Sequence, residues 1–394
     1  MDISLYFDPV SPEVFEFSPP TGHASISEVI HTYETDGNFP DLDHIKLAII
    51  GINEDRAALM NKGCANGPDY IRRYFYNLFS HWNNLALADL GNIKRGHSVD
   101  DTYFAAKEVI AWLLSNNIVP VIIGGSQDLT YANYMAYEDI GRVINIAAVD
   151  PLFDLGNDEN ELNSRSYLSR IILHQPNFLF SYTNVGYQSY YVDKDAVRLM
   201  DNLLFDVHRL GMVNADMEET EPMIRNADIL SIDLSAVRAS DAPGNFYTAP
   251  NGFYGEEVCR ICRYAGISDK LSSIGFYEFN PGYDKNGQTA HLVAQMIWYF
   301  IDGFMNRQND FPEDNRDNMT NYAKFYVKVD GFDDELIFLK SKKTGRWWMQ
   351  ITIHNNMHKK YKRHQFVPCS YKDYKIAMDN EIPERWWRVQ QKLM

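Results

Sequence analysis

The chain has 394 residues, of which 45% are hydrophobic, and its formal net charge is −16. Such a chain can bury a large core, it has no apolar run of membrane-spanning length, and its acidity disfavours nucleic acid as a partner of the main body. Four cysteines and a first stretch without a basic, apolar leader predict reduced thiols and a cytoplasmic protein.

The first predicted region is residues 1–44, which are rich in Pro, Asp, Glu and Ser. Their periodicity is weak, so we expect an irregular N-terminal arm with one short strand. The following region alternates short apolar runs with amphipathic segments, and this alternation predicts a parallel sheet covered on both faces. The predicted strands are 45–52, 85–91, 119–123, 143–149, 178–185, 229–234 and 271–277. The predicted helices begin at Pro68 or cover 100–116, 129–137, 165–173, 193–204, 255–265 and 289–304.

The pattern changes after a polar linker, residues 306–322. Residues 323–394 are predicted to form a small β-rich appendage that ends in a short helix. From Ser341 to Met394 there are 12 basic and 4 acidic residues, a balance of +8, which leaves −24 for the rest of the chain. This contrast would suit docking of the appendage onto the acidic body or onto a neighbouring subunit.

Aromatic residues in the appendage admit two interpretations. Trp347, Trp348, Trp386 and Trp387 lie among lysines and arginines, and basic aromatic surfaces can stack on nucleic-acid bases. They can equally form the small core of the appendage, with cations at its edge, and we favour this second interpretation.

Polar and acidic residues follow three of the predicted strands. Because ligands bind at the carboxyl ends of parallel strands, we expect these residues to share one crevice. They are Gln127, Asp150, Asp154, Asp233 and Ser235. Asp150 and Asp154 could also simply cap turns, whereas Asp233 in an apolar strand is harder to explain in that way.

The ordered motifs between about residues 45 and 305 resemble the ureohydrolase superfamily of arginase, agmatinase and formiminoglutamase. The segments that carry the resemblance are Gly63–Arg72, Gly124–Gln127, Asp150–Asp154, Ser231–Ser235, Asp241–Gly244 and Glu278–Pro281. The resemblance implies a three-layer α/β/α fold for residues 45–305. It also implies a site with two Mn²⁺ ions and a bridging hydroxide that attacks a guanidinium or formimino carbon.

The metal ligands of that family, two histidines and four aspartates, are only half retained. Asp150, Asp154 and Asp233 match three aspartates. Gln127 and Leu152 stand where the histidines would be, and Ser235 stands at the last aspartate. Leu152 cannot bind a metal, and Gln127 and Ser235 are weak ligands.

Three carboxylates in one crevice repel each other, and burial would raise their pKa values. We therefore consider a single Mn²⁺, Mg²⁺ or Ca²⁺ ion, another cation such as a substrate amine or an arginine, or carboxylates that face solvent and need no metal. By resemblance, Asp154 and Glu278 are the catalytic candidates, and Glu278, Gln127 and Asn280 the substrate-binding ones. Glu278 could instead pair with a neighbouring arginine.

The missing ligands lead to the main functional hypothesis, a non-catalytic binding or regulatory protein without the binuclear manganese centre. The proton-shuttle histidine of arginases also has no counterpart in residues 163–167. The alternative is a hydrolase of linear amidines that works with one metal ion, and a third hypothesis is nucleic-acid binding by the tail. A cationic small molecule and a homo-oligomer are the expected partners, the oligomer by resemblance alone.

Overall fold

Ten strands form one sheet in the computed structural model, which describes residues 1–16, 25–35, 37–156, 161–313, 316–353 and 361–394. The strands are β1 (Phe7–Asp8), β2 (His31–Thr32), β3 (Leu47–Ile52), β4 (Leu87–Ile93), β5 (Val119–Ile123), β6 (Ile144–Val149), β7 (Leu179–Tyr187), β8 (Asp206–Arg209), β9 (Ile229–Asp233) and β10 (Ser273–Tyr277). Their order is β1-β4-β3-β5-β10-β9-β6-β7-β8, and β2 also pairs with β4. β1 is antiparallel to β4 and the other pairs are parallel, so the predicted mainly parallel sheet is confirmed.

Helices cover both faces of this sheet, which confirms the three-layer α/β/α prediction. One face carries α1 (Pro12–Glu16), α2 (Ile26–Val29), α3 (Gly67–Phe75), α8 (Leu210–Ala215), α9 (Thr220–Arg225), α10 (Gly255–Gly266) and α11 (Gln288–Met305). The other face carries α4 (Val99–Ser115), α5 (Leu129–Asp139), α6 (Tyr167–Leu173) and α7 (Lys194–Asn202).

Strand β3 shows how the sequence produces two cores. Its side chains alternate between faces, so Leu47 and Ile49 join the cluster under α3, α10 and α11. Ala48, Ile50 and Ile52 join the cluster under α4 and α5. Because both faces are buried, the strand reads as one continuous apolar run, which is the pattern that allowed its prediction.

Two parts of the sheet escaped prediction. β8 (Asp206–Arg209) has the sequence Asp-Val-His-Arg and lies at the edge of the sheet, where polar residues are tolerated. The N-terminal arm contributes β1 and β2, which flank β4 at the opposite edge, instead of one short strand. These strands lack an alternating or continuous apolar pattern, and only their backbone pairing with a neighbouring strand defines them.

The C-terminal appendage is a separate antiparallel sheet of four strands in the order β11-β12-β13-β14. The elements of this region are α12 (Arg316–Met319), β11 (Tyr322–Lys328), β12 (Glu335–Ser341), β13 (Trp347–Gln350), β14 (Phe366–Cys369), α13 (Tyr371–Met378) and α14 (Glu384–Leu393). The strand-like run predicted from the sequence at 347–353 forms a strand only as far as Gln350, and the sequence did not predict β14 or α13.

The appendage sits on the amino-terminal edge of the main sheet. Its core includes Val143, which precedes β6, and Phe180 near the start of β7. The His364 ring stacks on Phe180 with ring centroids 4.0 Å apart. The predicted crevice lies at the carboxyl ends of the same strands, so the described residues of the appendage lie at the opposite edge of the sheet and do not cover the crevice.

Basic residues of the appendage meet acidic residues of the body at this junction. Arg363 pairs with Asp228 at 2.6 Å, and Arg388 pairs with Asp201 at 2.8 Å. Docking therefore takes place within the chain and uses the predicted charge contrast. Of the four tryptophans, Trp347, Trp348 and Trp386 are buried, as the core interpretation requires, and Trp387 is partly exposed.

Three smaller expectations have simple outcomes. The Cys259–Cys262 spacing within a helical pattern predicted a core-facing pair, and both residues are buried in the core. His354 and His358, considered as metal ligands at helical spacing, lie outside the described residues. Among the described helices, none is long and apolar enough to cross a bilayer.

Candidate functional site

Three aspartates meet at the carboxyl edge of the main sheet. Asp150 follows β6, Asp154 lies in the loop after it, and Asp233 ends β9 beside β6. Their oxygens lie within 4.8 Å of one another, and all three residues are buried. The predicted convergence of these strand ends is therefore present in the structure.

Local turns orient two of these carboxylates. Oδ1 of Asp150 accepts a hydrogen bond from the backbone N–H of Leu152 at 2.7 Å, and Oδ1 of Asp233 accepts one from Ser235 at 2.7 Å. Asp150 thus has the turn-capping role that the sequence left open, and Asp233, for which this role was harder to expect, has it as well. Asp154 adopts a left-handed backbone with φ of 48°, a conformation that costs energy for a residue with a side chain.

Crowding and burial disfavour the charged forms of this cluster. Burial, followed by the charges on Asp154 and Asp233, raises the pKa of Asp150 well above its usual value. Burial also raises the pKa of Asp154, against the influence of Arg165, and raises the pKa of Asp233 to about 6. A nearby cation would stabilise the ionised forms.

One such cation is Arg165, which the sequence did not single out. Its Nη1 lies 3.4 Å from Oδ1 of Asp154, and its guanidinium carbon lies 4.2 Å from the centre of the Tyr247 ring. Although its own burial opposes this, the negative charges of Asp154, Asp233, Asp150 and Glu278 raise the pKa of Arg165. Arg165 belongs to residues 163–167, where the resemblance finds no proton-shuttle histidine.

Glu278 lies next to this cluster, and each of its carboxylate oxygens accepts a hydrogen bond from the protein. Its Oε1 accepts a hydrogen bond from the backbone N–H of Gln127 at 2.9 Å, and its Oε2 accepts one from the Asn61 amide at 2.7 Å. Burial, followed by the charge on Asp233, raises the pKa of Glu278 to about 8. The partners of Glu278 are thus an amide side chain and a backbone group, where an arginine was the predicted alternative.

Asn280 is held in the same way. Its amide donates to the backbone carbonyl of Lys62 at 2.9 Å, and its oxygen accepts from the N–H of Gly282 at 3.0 Å. Asn61 links both residues, because it also receives a hydrogen bond of 3.3 Å from the Asn280 amide. Two of the three substrate-binding candidates, Glu278 and Asn280, are therefore buried and joined to the loop that contains Asn61.

The remaining candidate positions differ in what they offer a metal ion. Leu152 carries no donor atom on its side chain. Gln127 and Ser235 are buried, and Gln127 Oε1, Ser235 Oγ, Asp150 Oδ2 and Asp154 Oδ2 have no hydrogen-bond partner among the described residues. Buried oxygens without partners are costly, and all four are the hard donors that Mg²⁺ and Mn²⁺ accept. The residues thus fit one divalent cation held by oxygens.

A cavity of about 540 Å³ leads to one side of the cluster. Its lining includes Leu59, Leu152, Asp154, Arg165 and Tyr191. Asp150, Asp233 and Glu278 are not part of this lining, because they lie deeper in the protein. A molecule entering from this cavity would meet Arg165 and Asp154 before it could reach the other acids.

The sequence could not have indicated Asn61 and Tyr247 as parts of this site. Asn61 follows β3 and Tyr247 lies after β9, and each reaches the cluster through a loop without a motif of its own. The sequence signal for Arg165 was its position in residues 163–167, a segment that follows Asp150 and Asp154 and carries a cation where the resemblance expects a histidine.

Known proteins that resemble this chain belong to the arginase family and its formimidoylglutamases. A model described as the arginase family matches residues 45–302. A formimidoylglutamase of Staphylococcus aureus strain bovine RF122 / ET3-1 is 26% identical over 268 residues, which are 65% of this chain and 85% of that protein.

Solved structures share the fold at lower identity. Trypanosoma cruzi formiminoglutamase with Mn²⁺ superposes with a TM-score of 0.62 at 18% identity, over 69% of this chain and all of that one. Formimidoylglutamase from Bacillus subtilis subsp. subtilis strain 168 gives 0.63 at 17% identity, over 75% and 98%. Agmatine ureohydrolase of Thermoplasma volcanium gives 0.57 at 18% identity, over 75% and 97%. These likenesses concern the fold of the body.

Proposed function

The chain belongs to the arginase family, and from this premise we propose that it is a non-catalytic member that acts as a binding or regulatory protein. The family reaction, as the resemblance implies it, needs two metal ions to supply a hydroxide at neutral pH. In this chain Leu152, Gln127 and Ser235 replace three of the six ligands. One metal position would thereby keep only two carboxylates, those that it shares with the other ion.

The observation that carries the proposal is the internal pairing of Glu278. Both of its carboxylate oxygens already accept hydrogen bonds, from Gln127 and Asn61, and the residue is buried. An amidinium substrate would find one acceptor site of each oxygen already taken and would have to share Glu278 with Gln127 and Asn61. A cationic substrate would also have to pass Arg165, a like charge in the lining of the cavity.

The test is a turnover assay with arginine, agmatine and formiminoglutamate, with and without added Mn²⁺. We expect no product above the background of a reaction without protein. Asp233→Ala serves as the matched variant, because any metal-dependent turnover would need that carboxylate. Turnover that is lost in Asp233→Ala would contradict the proposal.

A hydrolase of linear amidines with a single metal ion is the second candidate function. The four unpartnered buried oxygens favour it, since they could hold one divalent cation together with Asp233. When bound, such an ion supplies an activated water. Metal-dependent turnover in the same assay, abolished in Asp233→Ala, would select this second function.

A further inference from the structure

Arg165 is a cation that the protein itself places at the acidic cluster. Its side chain is 17% exposed and forms an ion pair with Asp154 Oδ1 at 3.4 Å. The Tyr247 ring lies 4.2 Å from its guanidinium carbon. A largely buried guanidinium requires both a counter-charge and a favourable contact surface, and Asp154 and Tyr247 supply these.

The backbone around Arg165 is fixed from two sides. The Arg165 N–H donates to Asn163 Oδ1 at 2.8 Å, and the Ser164 N–H donates to the carbonyl of Ala57 at 3.1 Å. The Leu168 N–H donates to the backbone carbonyl of Asp154 at 3.3 Å, which joins the first turn of α6 to the loop of the cluster. Arg165 therefore sits on a braced segment and not on a free loop.

The charges of the cluster do not balance with Arg165 alone. Three carboxylates lie within 4.8 Å of one another, and one guanidinium compensates for a single negative charge. The three ionised aspartates and Arg165 together thus carry −2, with Glu278 outside this count because its carboxylate is bonded to Gln127 and Asn61. One divalent cation would neutralise it, whereas two would leave +2 in a buried place, which is costly.

The unpartnered oxygens agree with this count. Gln127 Oε1 and one oxygen each of Asp150 and Asp154 are buried and have no hydrogen-bond partner in the described part of the chain. The Arg165 ion pair uses the other oxygen of Asp154. Acceptors therefore remain for an ion in addition to the guanidinium.

We propose that Arg165 replaces the charge of one of the family's two metal ions, and that the crevice binds one divalent cation beside it. Asp150, Asp154 and Asp233, with the amide oxygen of Gln127, would hold this ion. Their all-oxygen donor set suits Mg²⁺ or Mn²⁺. The inference concerns the same crevice as the proposed function and rests on the proposed loss of the binuclear centre, but it is tested by binding and stability instead of turnover.

The experiment measures Mn²⁺ and Mg²⁺ binding to the full chain by equilibrium dialysis and calorimetry, and thermal stability without metal. The variants are Arg165→Met and Arg165→Lys. Arg170→Met is the matched control, because Arg170 lies on α6 and is exposed. For the wild type we expect one ion per chain.

In Arg165→Met we expect at least about tenfold tighter metal binding, because the repulsion between guanidinium and ion is gone. We also expect a lower melting temperature without metal, which the ion restores, because three carboxylates lose their counter-charge. Arg165→Lys keeps the charge and should stay near the wild type, as should Arg170→Met. If Arg165→Met fails to fold, Arg165→Lys still reports the number of ions bound per chain and the stability without metal.

Two ions per wild-type chain, or no ion in any variant, would overturn the proposal. It would also be overturned if Arg165→Met changed neither the metal affinity nor the stability of the metal-free protein. An outcome with one ion and tighter binding in Arg165→Met, together with amidine turnover, would remove the proposed non-catalytic function and leave this inference standing.

Discussion

Arg225, the last residue of α9, donates two hydrogen bonds of 3.2 Å to the backbone carbonyl of Trp347, the first residue of β13. The same guanidinium donates to the carbonyl of Cys369 at 3.3 Å and lies 4.4 Å from the Trp348 ring centre. Its Nε donates to Glu221 at 2.8 Å. One buried side chain of the body thereby completes the hydrogen bonding of the appendage sheet.

We predict that Arg225→Met lowers the free energy of unfolding by about 3 kcal/mol, because buried carbonyls and Glu221 lose their donor. Urea denaturation followed by circular dichroism measures this. Arg198→Met is the control, since the Arg198–Asp195 pair is exposed and should contribute less than about 0.5 kcal/mol. Equal losses in the two variants would show that Arg225 does not hold the junction.

A second prediction concerns pH and Lys270, which is buried at the junction. Its Nζ donates to Asn226 at 3.0 Å and lies 4.0 Å from Asp228. Burial lowers the pKa of Lys270 to about 8, although Asp228 acts in the opposite direction. Between pH 8 and the ordinary lysine pKa the unfolded chain binds more protons than the folded one, so stability rises with pH.

From this sign we expect the contribution of Lys270 to the free energy of unfolding to rise by about 2 kcal/mol from pH 7.5 to 9.5. In Lys270→Met that part of the rise should be missing. Burial also lowers the pKa of Lys392 to about 8, so the variant keeps a smaller rise. Denaturation curves at four pH values test this, and parallel pH profiles for wild type and variant would refute it.

A third prediction concerns Arg72, which belongs to the Gly63–Arg72 motif. Its guanidinium is fully buried, donates two hydrogen bonds of 2.8 Å to Asp89 and donates one of 2.6 Å to Asn92. Removal of one partner from a buried ion pair leaves an uncompensated charge. Arg72→Met should therefore cost about 3–5 kcal/mol of stability.

The control for this prediction is Arg73→Met on the same helix, whose partner Glu13 is largely exposed. We expect a loss of less than about 1 kcal/mol there. Both variants can be compared by the midpoint of chemical denaturation. If the two midpoints shift equally, Arg72 is not the structural centre of its motif.

The sequence predicted the elements with strong periodicity. β5 has the predicted bounds of 119–123, and the strand ends after β6 and β9 bring Asp150 and Asp233 together as expected. Apolar runs and strand-helix alternation carry this information locally. Short edge elements such as β8 lack it, because an edge strand tolerates polar residues and is defined by its backbone pairing with β7.

The partners of the site were less predictable because they are remote in the sequence. Glu278 bonds to Asn61, 217 positions away, and nothing in the residues near Asn61 indicates that contact. The motifs identified the acidic residues but not the hydrogen-bond partners of their carboxylate oxygens. The sequence analysis considered an arginine among several candidate cations for the cluster. The structure places Arg165 beside Asp154.

The last prediction tests the turn that carries Gln127. A Cβ on Gly125 would lie 1.8 Å from the backbone oxygen of Glu54, an atom that cannot move independently. The Gly125 carbonyl also accepts the N–H of Glu278 at 2.8 Å, and the Ser126 N–H donates to the Glu54 carbonyl at 3.1 Å. Gly125→Ala must therefore push the turn away from Glu54 and disturb the Glu278 hydrogen bonds.

We expect Gly125→Ala to lower the free energy of unfolding by about 2 kcal/mol or more, as other overpacked sites do. Gly211→Ala in α8 is the matched control, because no atom lies within 4 Å of its added Cβ. There the better helix propensity of alanine should leave stability unchanged or raise it by up to about 1 kcal/mol. Urea denaturation of both variants decides the question: a stable Gly125→Ala would mean that the turn can shift freely, and the fixed position of Gln127 against Glu278 would not hold.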